Sequence, residues 1–364
     1  MAKYKDIVGT GVINFAGNDP AAAKGQLWYN SSAYVWRYQF PAVTTAGSWR
    51  TGGSLNEGRE QNTGLSVGTK TAGLLYGGDT PTPGGSVNTE TYNGSSWTEV
   101  NNMNTSRRSG GGYGTQSSAM SGASFLGNSG ETNKTETWNG TNWTEIANLN
   151  TSRAGGAGAG TANDEGILFG GNNGSNNVAI NESYNGSNWT EVNDLNTART
   201  TLSGIGTTTS ALAFGGSTTD VSAVTETWNG TNWTEVNDLN TARTRGGGAG
   251  ADSTSALAYG GYTTTAVTNT ETWNGTSWTE TTDISSARNS GGSSGIATSA
   301  LYSGGSPGKV TTVEEFTGAG VPIGAWSTGG DLNTAREKIA SASAAPSTNS
   351  FAFSGESPGT DLIG

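Results

Sequence analysis

Residues 225–243 read TETWNGTNWTEVNDLNTAR, and this phrase is repeated along the chain. Every copy keeps a Trp followed ten positions later by an Arg, and successive copies lie about 46 residues apart. The seven pairs are Trp49/Arg59, Trp97/Arg107, Trp143/Arg153, Trp189/Arg199, Trp233/Arg243, Trp278/Arg288 and Trp326/Arg336. Repeat periods of about 20–50 residues are typical of propellers and solenoids. The sequence therefore predicts one repeat architecture for nearly all of its 364 residues.

The unit that runs from Arg199 to Trp233 shows the order of strands within one repeat. Strand patterns occupy residues 202–206, 211–214 and 225–228, and a fourth strand begins at Trp233. Asn229-Gly230 separates the last two strands and predicts a two-residue hairpin turn in which both residues have positive φ. Four antiparallel strands per unit are typical of a propeller blade, with the Gly-rich first strand nearest the crowded axis. We therefore expect an all-β chain.

The seven copies predict a seven-bladed propeller over residues 34–364, with a last blade built from both ends of the chain. Residues 338–344 and 349–354 would supply its first and second strands, and residues 34–40 and 48–53 its third and fourth. Joining the two ends removes the exposed sheet edges that an open ring would leave. Residues 1–33 lie outside the repeat and form an N-terminal arm, and residues 25–40 have the pattern of a hairpin.

The two ends of the phrase predict different contacts. The Trp is expected to pack between neighbouring blades, because a buried Trp removes about 150–250 Å² from water. The Arg lies at the crossing from one blade to the next and is expected to bind a Glu or backbone carbonyls as a structural clamp. A Glu precedes five of the Trp residues by seven positions, namely Glu90, Glu136, Glu182, Glu226 and Glu271. The alternative is a guanidinium ring that binds anionic sugars or carboxylates, made of Arg59, Arg107, Arg153, Arg199, Arg243, Arg288 and Arg336.

The composition narrows the possible functions. A net charge of −11 without any basic run gives no electrostatic footprint for nucleic acid or for an anionic membrane. The chain has no Cys and no His, which excludes thiolate sites, His metal ligands and every Ser–His or Cys–His catalytic pair. We expect no enzymatic activity and no cofactor, although Asp79 and Asp220 leave loop-bound Ca²⁺ open. Without a signal peptide or an 18-residue apolar run, a soluble protein made in a cytoplasm and not inserted in a membrane is expected.

The loops between second and third strands are the predicted recognition surface. Their lengths differ between units, whereas the Asn-Gly turns at the other end of the blades are nearly uniform. Antiparallel order places these loops on the same face as the Arg crossings, and loops on a rigid scaffold commonly carry function. Candidates for hydrogen bonding to sugar hydroxyls are Asp79, Thr80, Asn172, Asn173, Thr218, Asp220 and Tyr262. A plain solvated loop is the alternative interpretation for each of them.

The repeat resembles the kelch family, in which a double Gly ends the second strand, an aromatic residue lies on the third and a Trp on the fourth. The matching sets are Gly77-Gly78/Tyr92/Trp97, Gly170-Gly171/Tyr184/Trp189, Gly215-Gly216/Trp228/Trp233 and Gly260-Gly261/Trp273/Trp278. The aromatic-to-Trp spacing is one residue shorter than usual in that family. Kelch-like galactose oxidases hold copper through His, so the lack of His excludes that activity. A sialidase-like site is disfavoured because the Asp-containing turns are missing and the Arg residues are repeat-equivalent.

A second resemblance is carried by residues 25–32, Gly-Gln-Leu-Trp-Tyr-Asn-Ser-Ser, which precede a short aromatic strand. The motif is similar to one in tail-fibre and other structural proteins of marine bacteriophages. It implies a location in the virion after assembly in the host cytoplasm, with residues 1–33 attached to other virion proteins. We expect a non-enzymatic fibre or appendage that contacts a host-surface glycan or protein through the loop face. Two alternatives stay open: a capsid or tail decoration protein that binds no receptor, and a polysaccharide hydrolase built on a propeller.

Overall fold

The computed structural model describes residues 47–62, 66–82, 84–127 and 129–318, together with the backbone of short terminal strands. Those strands are Ile13–Phe15, Leu27–Asn30, Val35–Tyr38, Ala340–Ser341, Ala352–Phe353, Gly355–Ser357 and Thr360–Leu362. The chain divides into two compact units: residues 46–319 form one, and residues 1–45 with 320–364 form the other. The described ranges contain strands, turns and loops but no helix.

Residues 46–319 form a β-propeller of six four-stranded antiparallel blades, which confirms the predicted propeller and its four strands per blade. From the axis outward, blade 1 is Ser66–Thr69, Ala72–Tyr76, Thr89–Tyr92 and Trp97–Val100, blade 2 is Gly111–Thr115, Ser118–Gly122, Glu136–Trp138 and Trp143–Glu145, and blade 3 is Ala157–Ala162, Glu165–Phe169, Asn181–Tyr184 and Trp189–Val192. Blade 4 is Ser203–Gly206, Ala211–Phe214, Thr225–Trp228 and Trp233–Val236, blade 5 is Gly247–Asp252, Ser255–Tyr259, Thr270–Trp273 and Trp278–Glu280, and blade 6 is Gly292–Ile296, Ser299–Ser303, Val313–Thr317 and Ser48–Thr51.

The predicted number of seven blades is wrong, because the ring closes one blade earlier. Ser48–Thr51 pairs with Val313–Thr317, and Trp49 lies opposite Phe316 in the register. The first strand of blade 6 packs against the first strand of blade 1, so the six inner strands already form a closed circle. Blade 6 therefore takes three strands from one end of the sequence and one from the other, where two from each were expected. Arg336 and Trp326, the seventh copy of the phrase, lie outside the described residues.

The strands predicted to complete a seventh blade pair elsewhere. Val35–Tyr38 pairs antiparallel with Leu27–Asn30, which confirms the hairpin predicted for residues 25–40 and corrects the placement of residues 34–40 in a blade. Leu27–Asn30 also pairs in parallel with Ile13–Phe15. Ala340–Ser341 pairs with Ala352–Phe353 in a separate two-stranded sheet, so these parts of residues 338–344 and 349–354 are not blade strands of the ring.

The repeated Trp packs between blades, as predicted. Trp143 of blade 2 contacts Tyr76 on the second strand of blade 1, with ring centroids 4.7 Å apart. The same contact recurs as Trp233 with Phe169, Trp278 with Phe214 and Trp49 with Tyr259, at centroid distances of 4.8, 5.0 and 5.0 Å. Five of these fourth-strand Trp side chains are only 5–6 % exposed: Trp97, Trp143, Trp189, Trp233 and Trp278. Each Trp therefore buries its area against the preceding blade and holds the ring together.

The Asn-Gly turns join the third and fourth strands through four residues rather than the predicted two. Tyr92 pairs with Trp97, so residues 93–96 form the loop. Only the Gly has positive φ, about +90° at Gly94, while the Asn93 side-chain Oδ1 accepts hydrogen bonds from the backbone N–H groups of Ser95 and Ser96 at 3.0 and 2.9 Å. The Asn thus closes the loop through its side chain, in the manner of an Asx turn. The Asn-Gly dipeptide therefore predicted the hairpin correctly, but the predicted two-residue turn was wrong.

Candidate functional site

Each Arg at a blade crossing forms a buried ion pair with a Glu on the third strand of the blade that follows. In five of the six pairs the Glu precedes the fourth-strand Trp by seven positions, as the sequence indicated. The six described pairs are Arg59–Glu90, Arg107–Glu136, Arg153–Glu182, Arg199–Glu226, Arg243–Glu271 and Arg288–Glu314. Every one of these side chains is at most 3 % exposed.

Backbone carbonyls accept further hydrogen bonds from the terminal nitrogens of these Arg residues, so each pair also joins two parts of the blade. Arg199 donates to the carbonyl of Thr197 at 3.2 Å and to that of Ala213 on the second strand at 3.3 Å. Arg59 donates to the carbonyls of Gly77 and Asn88, both at 3.1 Å. Because the guanidinium groups are enclosed by protein acceptors, the described Arg residues of this ring have no surface to offer an anionic ligand.

An Asn three residues before the Arg holds the second oxygen of the Glu. In blade 4, Asn196 donates from its backbone N–H and its side-chain Nδ2 to Glu226 Oε2, at 2.7 and 2.9 Å. The same Nδ2 donates to the carbonyl of Trp233 at 3.1 Å. Equivalent Asn contacts occur at Asn56, Asn104, Asn150 and Asn240. The Asn-Thr-Ala-Arg end of the phrase is therefore one hydrogen-bonded clamp around a buried carboxylate.

Burial and hydrogen bonding act in opposite directions on these groups. Burial lowers the pKa of the guanidinium groups, and the partner carboxylates oppose the shift, at Arg59, Arg107, Arg153, Arg199 and Arg243. At Glu136 burial would raise the pKa, but the Thr105 hydroxyl, the Arg107 charge and Asn104 outweigh it and leave the pKa below its usual value. A carboxylate that accepts several hydrogen bonds is stabilised in its charged form.

The Arg crossings and the second-to-third loops lie on one face of the ring, which we call the crossing face. Short backbone bridges join a crossing residue to a loop residue in most blades, among them Glu60 with Asp79, Ala154 with Asn172 and Thr244 with Tyr262. The turns between first and second strands and the Asn-Gly loops lie on the opposite face. This arrangement is the one expected from antiparallel strand order.

The predicted loop residues differ in how accessible they are. Thr80 is 4 % exposed, and its carbonyl accepts from Lys309, whose Nζ also pairs with Asp79 at 3.0 Å. Asn173, Thr218 and Asp220 are exposed. Asn173 closes its own turn, because its Oδ1 accepts from the backbone of residues 175 and 176. Tyr262 is 37 % exposed and is, with Ile296 on the opposite face, one of two exposed large apolar side chains in the described ranges.

A cavity opens at the axis of the crossing face. Its volume is about 280 Å³, and its lining residues are Gln61, Arg108, Ser109, Phe125, Ala154, Gly155, Gly156, Asn172, Thr200, Thr201, Arg245 and Ser290. Of the predicted loop residues, Asn172 lines it. The others predicted from the sequence lie outside this lining, and no Asp or Glu takes part in it.

Six equivalent residues encircle this cavity, each two positions after a crossing Arg. They are Gln61, Ser109, Gly155, Thr201, Arg245 and Ser290, and all have positive φ between 46° and 68°. Five of the six donate a backbone N–H hydrogen bond to the carbonyl of the member before them around the axis, and the N–H of Asn62, next to Gln61, closes the circle at Ser290. The distances are 2.8 Å for Ser109 to Gln61, 2.8 Å for Gly155 to Ser109, 2.7 Å for Thr201 to Gly155, 3.0 Å for Arg245 to Thr201, 2.8 Å for Ser290 to Arg245 and 3.0 Å for Asn62 to Ser290. We call these six residues the axial ring.

The axial ring was missed by sequence reasoning because its side chains do not repeat. The repeated phrase ends at the Arg, and the residue two positions later is a different type in nearly every copy. Their position was the available signal. Each lies two residues after a repeated Arg, so all six are expected at equivalent places in the ring.

In comparisons with protein-family models and with curated proteins, the chain matches none. Across the described ranges, no group of three or more Asp or Glu side chains is placed to hold a metal ion. In the same part of the chain there is no helix of the length and apolar character needed to cross a bilayer. The candidate site is therefore defined by geometry: a rigid six-bladed ring with a polar cavity and variable loops on one face.

Proposed function

We propose that the protein is a non-enzymatic virion protein, a fibre or an appendage, that recognises a host-surface glycan through the crossing face. The observation that carries the proposal is the division of this face into two sets of residues. The buried Arg–Glu pairs are nearly identical in every blade, whereas the exposed side chains around them change from blade to blade. A rigid frame that presents variable side chains is the arrangement in which binding loops commonly occur.

The chemistry of the exposed set favours a sugar. Asn172, Thr200 and Thr201 are grouped near the axis. The two hydroxyls donate to backbone carbonyls, and the Asn172 amide bonds to Asn177 and to the backbone of residue 174. The hydroxyl lone pairs and the second amide hydrogen of Asn172 remain for hydrogen bonds with sugar hydroxyls. Tyr262 adds an exposed aromatic ring with a polar end, suited to pack on the apolar side of a sugar ring. The backbone bridge between Tyr262 and Thr244 places this ring beside the residue that precedes Arg245.

The virion assignment rests on the motif at residues 25–32, which falls in the hairpin of Leu27–Asn30 and Val35–Tyr38. We propose that residues 1–33 attach the protein to other virion proteins. The kelch-like classification is part of the same proposal, and it is supported by the double Gly after the second strand, where Gly215 and Gly216 have φ of 64° and 102°. Such values favour Gly over other residues.

A bacterial-glycan array tests the recognition role. Fluorescently labelled full-length protein is expected to bind a subset of bacterial surface polysaccharides, and Tyr262→Ala is expected to weaken that binding about tenfold through lost aromatic contact. Ile296→Ser is the matched control, because Ile296 is also exposed and apolar, 45 % against 37 %, but lies on the opposite face. Equal binding by both variants, or greater loss with Ile296→Ser, would contradict the choice of face.

Binding of no polysaccharide by the intact protein would favour the decoration-protein alternative. Release of sugars from a bound polysaccharide, measured by a reducing-end assay, would contradict the non-enzymatic role and favour the hydrolase alternative. Both measurements use the same purified protein as the array.

A further inference from the structure

The axial ring keeps side chains at positions where the backbone favours Gly. Five of its six members are not Gly although their φ values are positive, and one of them, Thr201, is β-branched. Gly155 occupies the equivalent position in blade 3, so Gly is compatible with the geometry. Non-Gly residues in the left-handed region carry strain, which is common at binding sites. The side chains of Gln61, Ser109, Thr201 and Ser290 form hydrogen bonds within the fold, whereas Arg245 keeps this backbone conformation without such a bond in the described ranges.

Arg245 has the features of a ligand-binding cation. It lines the cavity, its side chain is exposed, and within the described ranges its guanidinium has neither an ion pair nor a hydrogen bond. Arg243, two residues earlier, differs: it is 2 % exposed and forms an ion pair with Glu271. One of these two cations is fully used by the fold, and the other is left free at the axis.

A second cation faces the same cavity. Arg108 donates to Gln61 Oε1 at 2.8 Å and to the carbonyl of Gly127 at 3.3 Å, and its guanidinium lies 4.9 Å from the Phe125 ring. These partners are neutral, and among the described residues no carboxylate forms an ion pair with Arg108. The acidic residues of the nearby loops on this face, Glu60, Asp79, Glu131 and Asp220, do not line the cavity.

We propose that the axial cavity binds the carboxylate of an acidic sugar unit, with Arg245 as the main cationic contact and Arg108 as the second. This inference rests on the proposed glycan recognition and adds the class of sugar and its position. Guanidinium groups match carboxylates in charge and in planar geometry. The hydroxyls of Ser109 and Thr200 and the amide of Asn172 surround the remaining space. A volume of about 280 Å³ is at the lower end for small-ligand pockets, which suits one sugar unit rather than a long chain segment.

The test is titration calorimetry of the full-length protein with glucuronate, compared with glucose as the uncharged counterpart and sodium sulfate as the inorganic anion. We expect glucuronate to bind and the other two to bind at least tenfold more weakly. Arg245→Gln and Arg245→Gly are each expected to weaken glucuronate binding about 10- to 100-fold through loss of a charge-assisted hydrogen bond. Lys134→Gln is the control, because it also removes one positive charge but lies outside the cavity lining, in the loop before Glu136–Trp138, in an exposed pair with Glu145. Melting curves of every variant verify that it is folded.

Three results would overturn the proposal. Equal affinity for glucose and glucuronate, or equal affinity for sulfate, would show that the cavity does not select a sugar carboxylate. Unchanged glucuronate binding in folded Arg245→Gly would remove Arg245 from the contact. Array binding that depends on Tyr262 while no acidic sugar binds the cavity would overturn this inference and leave glycan recognition intact. Failure of both the array and the calorimetry would contradict the two proposals together.

Discussion

Replacement of Arg199 by Met isolates the contribution of one clamp to the stability of the ring. Arg199 is fully buried, and its removal leaves the Glu226 carboxylate buried without its cation. Breaking a buried ion pair at one partner costs about 3–5 kcal/mol. Glu226 Oε2 keeps its two hydrogen bonds from Asn196, so we expect the lower part of that range.

The expected change in melting temperature follows from the size of the unit. About 2.1 cal/mol/K of unfolding entropy per residue, over the roughly 270 residues of the compact unit, gives about 0.6 kcal/mol per degree. Arg199→Met should therefore lower the melting temperature by about 5–7 °C in differential scanning calorimetry. Glu226→Gln added to Arg199→Met removes the unpaired charge and is expected to recover part of the loss.

Lys134→Met provides the matched control for this experiment. Its pair with Glu145 has side chains 39 % and 43 % exposed, and exposed pairs contribute about 0–1 kcal/mol. We expect a fall of less than about 2 °C. A fall in Arg199→Met no larger than that of Lys134→Met would refute the reasoning, and so would a double variant whose loss equals the sum of its two single losses. The reasoning also requires that glucuronate binding is unchanged in folded Arg199→Met.

Three further predictions, one of them with a matched control variant, test other parts of the fold. The pKa of Glu136 lies below its unfolded value of about 4.3, so its contribution to the free energy of unfolding is complete above that pH and is lost as pH falls through the folded pKa. Urea midpoints measured from pH 6 to 3 should therefore fall less steeply in Glu136→Gln than in the natural protein. Trp49→Ala removes the aromatic contact that closes the ring at blade 6. Because Trp49 is only partly buried, the change should cost about 2–3 kcal/mol in urea unfolding, below the about 3–5 kcal/mol of a fully buried Trp, and a cost below about 1 kcal/mol would contradict the closure. Gly230→Ala, at φ 91°, should destabilise by more than about 1 kcal/mol, whereas Gly130→Ala, with open space and ordinary φ, should change stability by less than about 0.5 kcal/mol.

The strand order of each blade could be predicted because it depends on local signals. In blade 4 the alternating residues of Ala211–Phe214, the Gly pair after them and the Asn-Gly turn all lie within one repeat. The pairing of Arg199 with Glu226 was accessible for the same reason, since both recur at fixed distances. The turn type was not, because Asn229 closes the loop through its side-chain Oδ1, an alternative to positive φ that the dipeptide does not exclude.

The blade number could not be predicted from the count of repeats. Each copy of the phrase supplies the fourth strand of one blade and the crossing to the next blade. The first and the last copies are therefore both candidates for the fourth strand of the blade that closes the ring. The choice is made by contacts between distant residues: Trp49 opposite Phe316, and the Arg50 pair with Glu315 at 2.6 Å. The sixth clamp was missed for the same reason, because Glu314 has its fourth-strand Trp near the other end of the chain, at Trp49.

The strain at the axial ring can be measured apart from ligand binding by comparing two substitutions at Arg245. Arg245→Ala removes the guanidinium but leaves a residue for which φ of 56° is unfavourable, whereas Arg245→Gly removes both the guanidinium and the backbone strain. Relief of about 1–3 kcal/mol exceeds the chain-entropy penalty of about 0.5–1 kcal/mol for Gly, so Arg245→Gly should be the more stable by about 1 kcal/mol. With about 0.6 kcal/mol per degree, the difference in melting temperature is about 2 °C.

The sign of that difference connects stability to the proposed site. If Arg245→Gly melts above Arg245→Ala and at or above the natural protein while losing glucuronate binding, the Arg is retained for its ligand at the expense of the fold. If Arg245→Ala is as stable as Arg245→Gly, the left-handed backbone at this position is not strained. The non-Gly residues of the axial ring would then need no functional explanation, and the free guanidinium of Arg245 would be the remaining argument for the cavity as a binding site.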